Sequence, residues 1–224
     1  MRRGRGNIYI VQANDPAEQL GADAIRRAAT RKGANVVGSS AFPLSQQGVV
    51  NAVPQIASGY RGSGAQSVFL TSGTAGALPF LADLLPENGI TTANSQFIGL
   101  QRLDVPSSAL SIKGLQGAWF AIPNPGLVQQ FQNRYQAAYG SMPNPVAGLA
   151  YDGIAAIGAL VKQGNSTALT GRALTQSQGF AGVNGAFRLL GDGTNERALA
   201  VAQIQNNQVI VIDPAPRSFG GAGL

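Results

Sequence analysis

Along the first hundred residues, short apolar runs alternate with stretches of helical periodicity. Ile8-Tyr9-Ile10-Val11 is a continuous apolar run of the kind a sheet buries on both faces. Asn14-Asp15-Pro16 then reads as a helix start, with proline in the first turn and Glu18 near the positive end of the dipole. Leu20, Ala24, Ile25 and Ala28 supply an apolar stripe, and Lys32-Gly33 supplies the stop. Asn35 to Phe42 reads as the next strand. Val49, Val50, Val53 and Ile56 mark one face of the helix after it, with Pro54 as an interruption. The unit then recurs: a strand over Ser67 to Thr71, an exit loop Ser72-Gly73-Thr74, a helix over Ala75 to Leu85 with Leu78, Leu81, Leu84 and Leu85 turned inward, and a strand over Gln96 to Leu100. Strands alternating with helices imply parallel pairing through right-handed crossovers, hence an α/β layer architecture.

The pattern changes after residue 117. Gly117 to Ile122 reads as a strand closed by Pro123-Asn124-Pro125. Two helices follow in succession, Gly126 to Tyr139 and Val146 to Lys162, separated by Gly140 and Pro143-Asn144-Pro145. Phe131, Tyr135 and Ala138 share one face of the first. A shorter helix is expected over Thr167 to Ser177. Gly185 to Leu190, Ala198 to Gln205 and Gln208 to Ile212 then read as an antiparallel meander, turning at Gly191-Asp192-Gly193 and at Asn206-Asn207. The tail from Pro214 to Leu224 carries no pattern that would hold it to a core.

Composition narrows the chemistry. Of the 224 residues, 44% are hydrophobic and 12% charged, a globular balance that is poor in charge. The net charge of +6 raises the question of nucleic acid, but its distribution argues against it. Arg2, Arg3 and Arg5 stand among glycines at the start, and Arg26, Arg27, Arg31 and Lys32 fall on one helix without interleaved aromatics. A solvated helix face accounts for them, and no nucleic-acid partner is expected. The chain has no cysteine and no histidine, which removes thiol nucleophiles, thiolate metal sites, the usual neutral-pH base and any Ser-His-Asp triad. A carboxylate or Ser-Lys site is the catalytic option left open. No Walker sequence or dinucleotide fingerprint occurs, so no cofactor is expected. No apolar run reaches the length of a membrane span. The basic start followed by Asn7 to Val11 is too short for a signal core.

In the C-terminal half, several weak motifs stand in a fixed order: the aromatic helix with Phe131, Tyr135 and Tyr139; the linker with Pro143 and Pro145; Tyr151-Asp152; Gly182-Val183-Asn184-Gly185; and Asp192-Gly193. Together they resemble type I periplasmic binding proteins, the family of the leucine/isoleucine/valine-binding protein. Gly114-Leu115-Gln116-Gly117-Ala118-Trp119-Phe120-Ala121-Ile122-Pro123 is similar to the branch of that superfamily containing penicillin-binding-protein activators.

The resemblance implies an α/β, Rossmann-like lobe with extra helices and a C-terminal antiparallel hairpin. Residues 1–123 would form the core of the family's second lobe, and 124–180 a helical segment that normally packs on a first lobe. Residues 181–213 would be strands returning to the core, and 214–224 a flexible tail. It further implies that the family's first lobe does not precede Ile8, which leaves an apolar face on the two middle helices. Since large exposed apolar patches are rarely tolerated in soluble monomers, self-association through that face is expected. The function implied is non-enzymatic: an envelope or periplasmic protein binding a small polar ligand, such as an amino acid, for an ABC transporter. The alternative is a regulatory envelope protein that activates a peptidoglycan synthase through protein contacts.

Open α/β sheets bind ligands beyond the carboxyl ends of their strands. The loops there are Ala13-Asn14-Asp15, Ser72-Gly73-Thr74 and Gln101-Arg102-Leu103-Asp104. Ser72 and Thr74 offer hydroxyls to a carboxylate, Arg102 an anion partner and Asp104 a partner for an ammonium group, and Asp15 is a further candidate by its place in the first of these loops. Each residue equally suits ordinary capping and turn chemistry. Tyr151 is the further ligand candidate, whereas Asp152 reads as a first-turn charge at a helix start. Trp119 reads as core. In amino-acid-binding relatives an aromatic residue precedes the glycine that here is Gly21; its position is held by Leu20, which points to a changed or lost ligand.

Overall fold

The computed structural model describes residues 4–164 and 168–219. Arg2, Arg3, Thr167 and the tail residues Gly220 to Leu224, all named above, lie outside them. The chain divides into two compact units: residues up to Ala121 with Ala202–Val211, and Ile122–Val201 with the residues from Ile212 on.

The first unit alternates strand and helix: β1 (Asn7–Ala13), α1 (Pro16–Arg31), β2 (Asn35–Phe42), α2 (Gln46–Ser63), β3 (Ser67–Leu70), α3 (Leu78–Glu87), β4 (Gln96–Gly99) and β5 (Trp119–Ile122), with two 3₁₀ turns between β4 and β5. The hairpin β8 (Ala200–Gln205) and β9 (Gln208–Asp213) completes a seven-stranded sheet in the order β2-β1-β3-β4-β5-β8-β9. β2, β1, β3, β4 and β5 are mutually parallel. From β1 the chain steps outward to β2 and then returns to the other side through β3, so its winding reverses between β1 and β3. Asn206 and Asn207 take left-handed backbone angles, φ 53° and 59°, as a two-residue type I′ hairpin requires.

Ile10, Val11, Phe42, Val68, Leu70 and Phe97 are fully buried on this sheet. Each such side chain contributes about 1.5–3 kcal/mol by leaving water. Two faces are packed, as expected of a parallel sheet. Ile8 and Ile10 meet Ala22, Ile25 and Ala29 of α1. Tyr9 turns to the opposite side, where its ring makes an edge contact with Tyr60 of α2. Pro54 is accommodated inside α2, and Gly64, at φ 68°, ends it in the left-handed form.

The second unit contains α4 (Pro125–Tyr139), α5 (Ala147–Gly164), the single turn α6 (Gly171–Leu174), and the hairpin β6 (Phe187–Leu189) with β7 (Asn195–Arg197). Asn124 caps α4 through its side chain at the amide of Leu127, Pro125 occupies the first turn, and Gly140 closes it at φ 71°.

Several expectations are corrected. α1 buries Ala22, Ile25 and Ala29, while Leu20 is 68% exposed, so its inner face is rotated from the stripe expected around Leu20. Small residues at that face let the helix lie close to β1. Val50 is likewise on the outer side of α2. The third helix begins at Leu78 because residues 74–77 form a tight turn, with the Gly76 amide donating to the Gly73 carbonyl. The helix expected over Thr167 to Ser177 is reduced to α6, capped by Thr170. The C-terminal meander is two separate hairpins. β6 pairs with β7, a strand absent from the sequence reading, and not with the main sheet. Asp152 is not a first-turn charge: α5 begins at Ala147, and Asp152 is a buried residue of its second turn.

Candidate functional site

The rim of the first unit is built where β1, β3 and β4 end. β1 stops at Ala13, and Asp15 turns the chain into α1 by accepting the amides of Ala17 (2.7 Å) and Glu18 (3.1 Å) with one carboxylate oxygen. Its side chain is therefore consumed as a helix cap. Three residues on, Glu18 folds back over the strand ends. Its Oε2 accepts from the Ala13 amide (2.6 Å), the Thr71 hydroxyl (2.8 Å) and the Ser72 hydroxyl (2.9 Å), with Ser72 also 2.8 Å from Oε1. Thr71 and Ser72 are fully buried at the end of β3.

The other rim loops are also tied to one another. The Thr74 hydroxyl donates to the Val105 carbonyl, joining the loop after β3 to the loop after β4. Gln101 spans the same gap: its amide donates to the Thr71 carbonyl at 3.4 Å, and a Cβ at Gly73 would fall 2.2 Å from its Oε1. Arg102 and Asp104 form a two-point pair with each other, through Nε to Oδ1 at 2.6 Å and a second short contact. So the structure brings Asp15, Ser72, Thr74, Arg102 and Asp104 to one edge of the sheet, and gives each an internal partner. Leu100 and Val105 are exposed apolar residues of the loop after β4, Leu20 is exposed on α1, and Leu44 is exposed in the loop after β2. Leu100 lies so close over Gly21 that a Cβ there would meet its Cδ2 at 2.5 Å.

Tyr151 belongs to the second unit. It sits on α5 with its ring centroid 5.4 Å from that of Phe131, and the Arg134 guanidinium lies 6.0 Å from the Tyr151 ring. These residues line a cavity of about 490 Å³ together with Tyr135, Tyr139 and Ile154 of α4 and α5. Ile154 is 72% exposed, and Leu149, Ile157 and Val161 of α5 are exposed as well. The next residue along, Asp152, points inward. It accepts from the Val183 amide at 2.6 Å and from Arg197 at 2.7 Å, and Arg197 also lies over the Phe187 ring and reaches the Gly185 carbonyl.

Three residues that carry this geometry, Glu18, Thr71 and Gln101, were not among the ligand candidates the sequence suggested. For Glu18 a signal was present. Asp15-Pro16-Ala17-Glu18 has the spacing of a capping box, in which the fourth residue reaches back to a backbone amide before the helix. Here it reaches two residues further than usual, to Ala13. Among the described residues no group of three or more acidic side chains stands close enough to hold a metal ion.

A parallel sheet whose winding reverses at β1 and β3, followed by paired helices and a hairpin returning to the sheet edge, is matched by a family model described as periplasmic binding protein over residues 1–208. The chain belongs to that family. Solved structures agree on the type I periplasmic binding-protein fold. One from Rhodospirillum rubrum, described as a branched-chain amino acid ABC transporter, matches with a TM-score of 0.72 at 19% identity, covering 93% of this chain and 61% of its own. A periplasmic ligand-binding protein of a branched-chain amino acid ABC transporter from Burkholderia xenovorans matches with a TM-score of 0.70 at 21% identity, over 98% of this chain and 62% of that one. A substrate-binding protein from Desulfitobacterium hafniense in complex with Leu matches with a TM-score of 0.62 at 15% identity, over 94% and 61%. The chain thus spans about three-fifths of the length of these binding proteins. No curated protein sequence matches it. The family and its neighbours are binding proteins, not enzymes. No helix among the described residues is long and apolar enough to cross a membrane.

Proposed function

We propose that this chain is a solute-binding component of a bacterial envelope importer, taking a small ligand with an apolar body, such as a branched-chain amino acid, against the rim of its first unit. The observation that carries the reading is the convergence of the loops after β1, β3 and β4 at the carboxyl ends of the strands, where the loop after β4 presents Leu100 and Val105 beside polar groups and Leu20 stands exposed in the second turn of α1. An apolar surface with a few fixed polar groups is what a branched side chain with a polar head requires. The Leu bound in the Desulfitobacterium hafniense protein supports the class of ligand. Ser72, Thr74, Arg102, Asp104 and Asp15 shape this rim from behind, and the ligand would meet Thr74 and Arg102 first, since their hydrogen-bonded loops are the more exposed. The test is thermal unfolding with leucine, isoleucine, valine and a non-binding control sugar. A ligand at a hundred times its Kd stabilises by about 2.7 kcal/mol, a clear rise in Tm. Absence of any rise with all three amino acids rejects the reading.

A specific observation favours a second reading. Leu20 stands where amino-acid-binding relatives carry an aromatic residue, and Glu18 already occupies the hydroxyls of Thr71 and Ser72. A regulatory envelope protein acting on a peptidoglycan synthase has no need of an open ligand rim. Binding to a purified synthase, with no amino-acid response, selects it.

The exposed face of α4 and α5 supports association between two copies of the chain. Tyr139, Leu149, Ile154, Ile157 and Val161 form an apolar surface of the second unit that no described residue covers. Sedimentation equilibrium over a hundredfold concentration range tests it, and a monomer throughout rejects it.

A further inference from the structure

The end of β1 and β3 is where the winding of the sheet reverses, and the strands on either side send their connections to opposite faces. In open α/β sheets such a reversal leaves a crevice at the carboxyl ends, and ligands settle there. In this chain that position already holds a carboxylate. Glu18 receives one backbone amide and two buried hydroxyls, Ala13 from β1 and Thr71 and Ser72 from β3, at 2.6–2.9 Å. This is the donor set that would recognise the carboxylate of an external ligand. We infer that the Ala13, Thr71 and Ser72 donors form a carboxylate-binding site that the chain fills with its own Glu18, so that the crevice is self-liganded and closed to external carboxylates.

Three observations support the assignment. Thr71 and Ser72 are fully buried, so their hydroxyls need acceptors within the protein. The Thr71 hydroxyl has the Val11 carbonyl at 3.2 Å as its alternative acceptor, whereas both Glu18 contacts of Ser72 go to the carboxylate alone. Glu18 comes from the first turn of α1, where its charge also suits the helix dipole, so the internal ligand is held without strain from elsewhere. A ligand carboxylate therefore has to bind outside the crevice, on the remaining rim, as long as Glu18 is in place. This holds whichever ligand the rim takes.

The test uses the whole chain and acetate as the probe, with chloride at the same ionic strength as control. Glu18→Ala removes the internal ligand and leaves the three donors. Acetate is expected to raise the Tm of the variant in a saturable manner and to shift the amide resonances of Ala13 and Ser72, with no effect on the unaltered chain. Adding Ser72→Ala to the variant is expected to weaken acetate binding about tenfold, the loss of one charge-assisted hydrogen bond. A folded Glu18→Ala chain indifferent to acetate, or an unaltered chain that binds acetate equally well, overturns the inference. Should Glu18→Ala not fold, Glu18→Gln keeps the shape and loses the charge. Faster hydrogen exchange at the Ala13 amide, by about tenfold, is then expected, and unchanged exchange overturns it.

Discussion

Among the described residues Asp152 is the one carboxylate almost wholly withdrawn from water, at 1% exposure, and with its two partners it joins three stretches of sequence. α5 supplies the acid, the turn at Val183 supplies an amide, and β7 supplies Arg197, whose side chain is 17% exposed. Asp152→Ala leaves the Val183 amide without its acceptor, at a cost of about 1–3 kcal/mol. It also strands a largely buried guanidinium. Loss of one member of a fully buried pair costs about 3–5 kcal/mol, and the partial exposure of Arg197 reduces that share. The two penalties overlap, so the expected loss is about 3 kcal/mol. For a chain of this size that lowers Tm by roughly 6–12 °C if unfolding is a single transition. Replacing Arg197 with Met keeps the packing over Phe187 and the Val183 bond but leaves the 1%-exposed Asp152 carboxylate without its countercharge, so a loss of similar size, about 3 kcal/mol, is expected. A double-mutant cycle measured by urea unfolding then gives the coupling of the pair. A loss under 1 kcal/mol for Asp152→Ala, or no coupling in the cycle, refutes the view that this pair anchors the β6–β7 hairpin to α5.

Glycine positions separate packing from propensity. Gly114→Ala would place a Cβ 1.7 Å from the Ala82 carbonyl oxygen, so a loss above about 2 kcal/mol is expected in chemical denaturation. Gly153 and Gly158, in the middle of α5, face open space, and alanine at either is expected to stabilise by about 0.5–1 kcal/mol. Ile154→Glu on the exposed face of α5 is expected to leave stability within about 0.5 kcal/mol while abolishing self-association in sedimentation, since the site is 72% exposed in the single chain. Leu20→Asp is likewise expected to be tolerated in thermal unfolding, because Leu20 faces solvent and not β1.

The parallel sheet was legible because each of its strands is a short apolar run followed by a recognisable helix start or stop: Asp15-Pro16 before α1, Gly64 after α2, Pro125 before α4. What escaped the sequence is tertiary. β7 is Asn195-Glu196-Arg197, polar residues with no strand signature, and it is a strand because Arg188 pairs with Glu196 across the hairpin and the backbone pairs with β6. Leu20 looked like the first residue of an apolar stripe, but small residues at Ala22 and Ala29 set the angle at which α1 meets the sheet and turn Leu20 outward. At the candidate site the loops were legible, since strand ends can be counted. The destination of each side chain was not. Asp15 suited a helix cap as well as a ligand, and the cap is what the structure has, whereas nothing in one dimension shows Arg102 and Asp104 closing into a pair.

The low charge content acquires a physical meaning from these partners. Asp15 caps a helix, Glu18 fills the crevice, Asp23 meets Arg26, Asp104 meets Arg102, Asp152 meets Arg197 and Glu196 meets Arg188. Most of the acidic residues are thus engaged within their own unit, while Arg27, Arg31 and Lys32 remain on the exposed side and end of α1. Arg27, Arg31 and Lys32 thus carry part of the net charge of +6 on the outer side and end of α1, and the rest is spread singly over other elements, among them Arg61, Lys113, Arg134, Lys162 and Arg172, and is not gathered at the rim. A rim whose charged groups are internally paired offers little to a ligand through charge alone. On the proposed reading, discrimination would come from apolar fit around Leu20 and Leu100 and from backbone groups of the Gly73–Thr74 loop. A ligand selected in that way would bind with an affinity that depends weakly on salt, whereas one held by Arg102 or by displacement of Glu18 would be strongly salt-dependent.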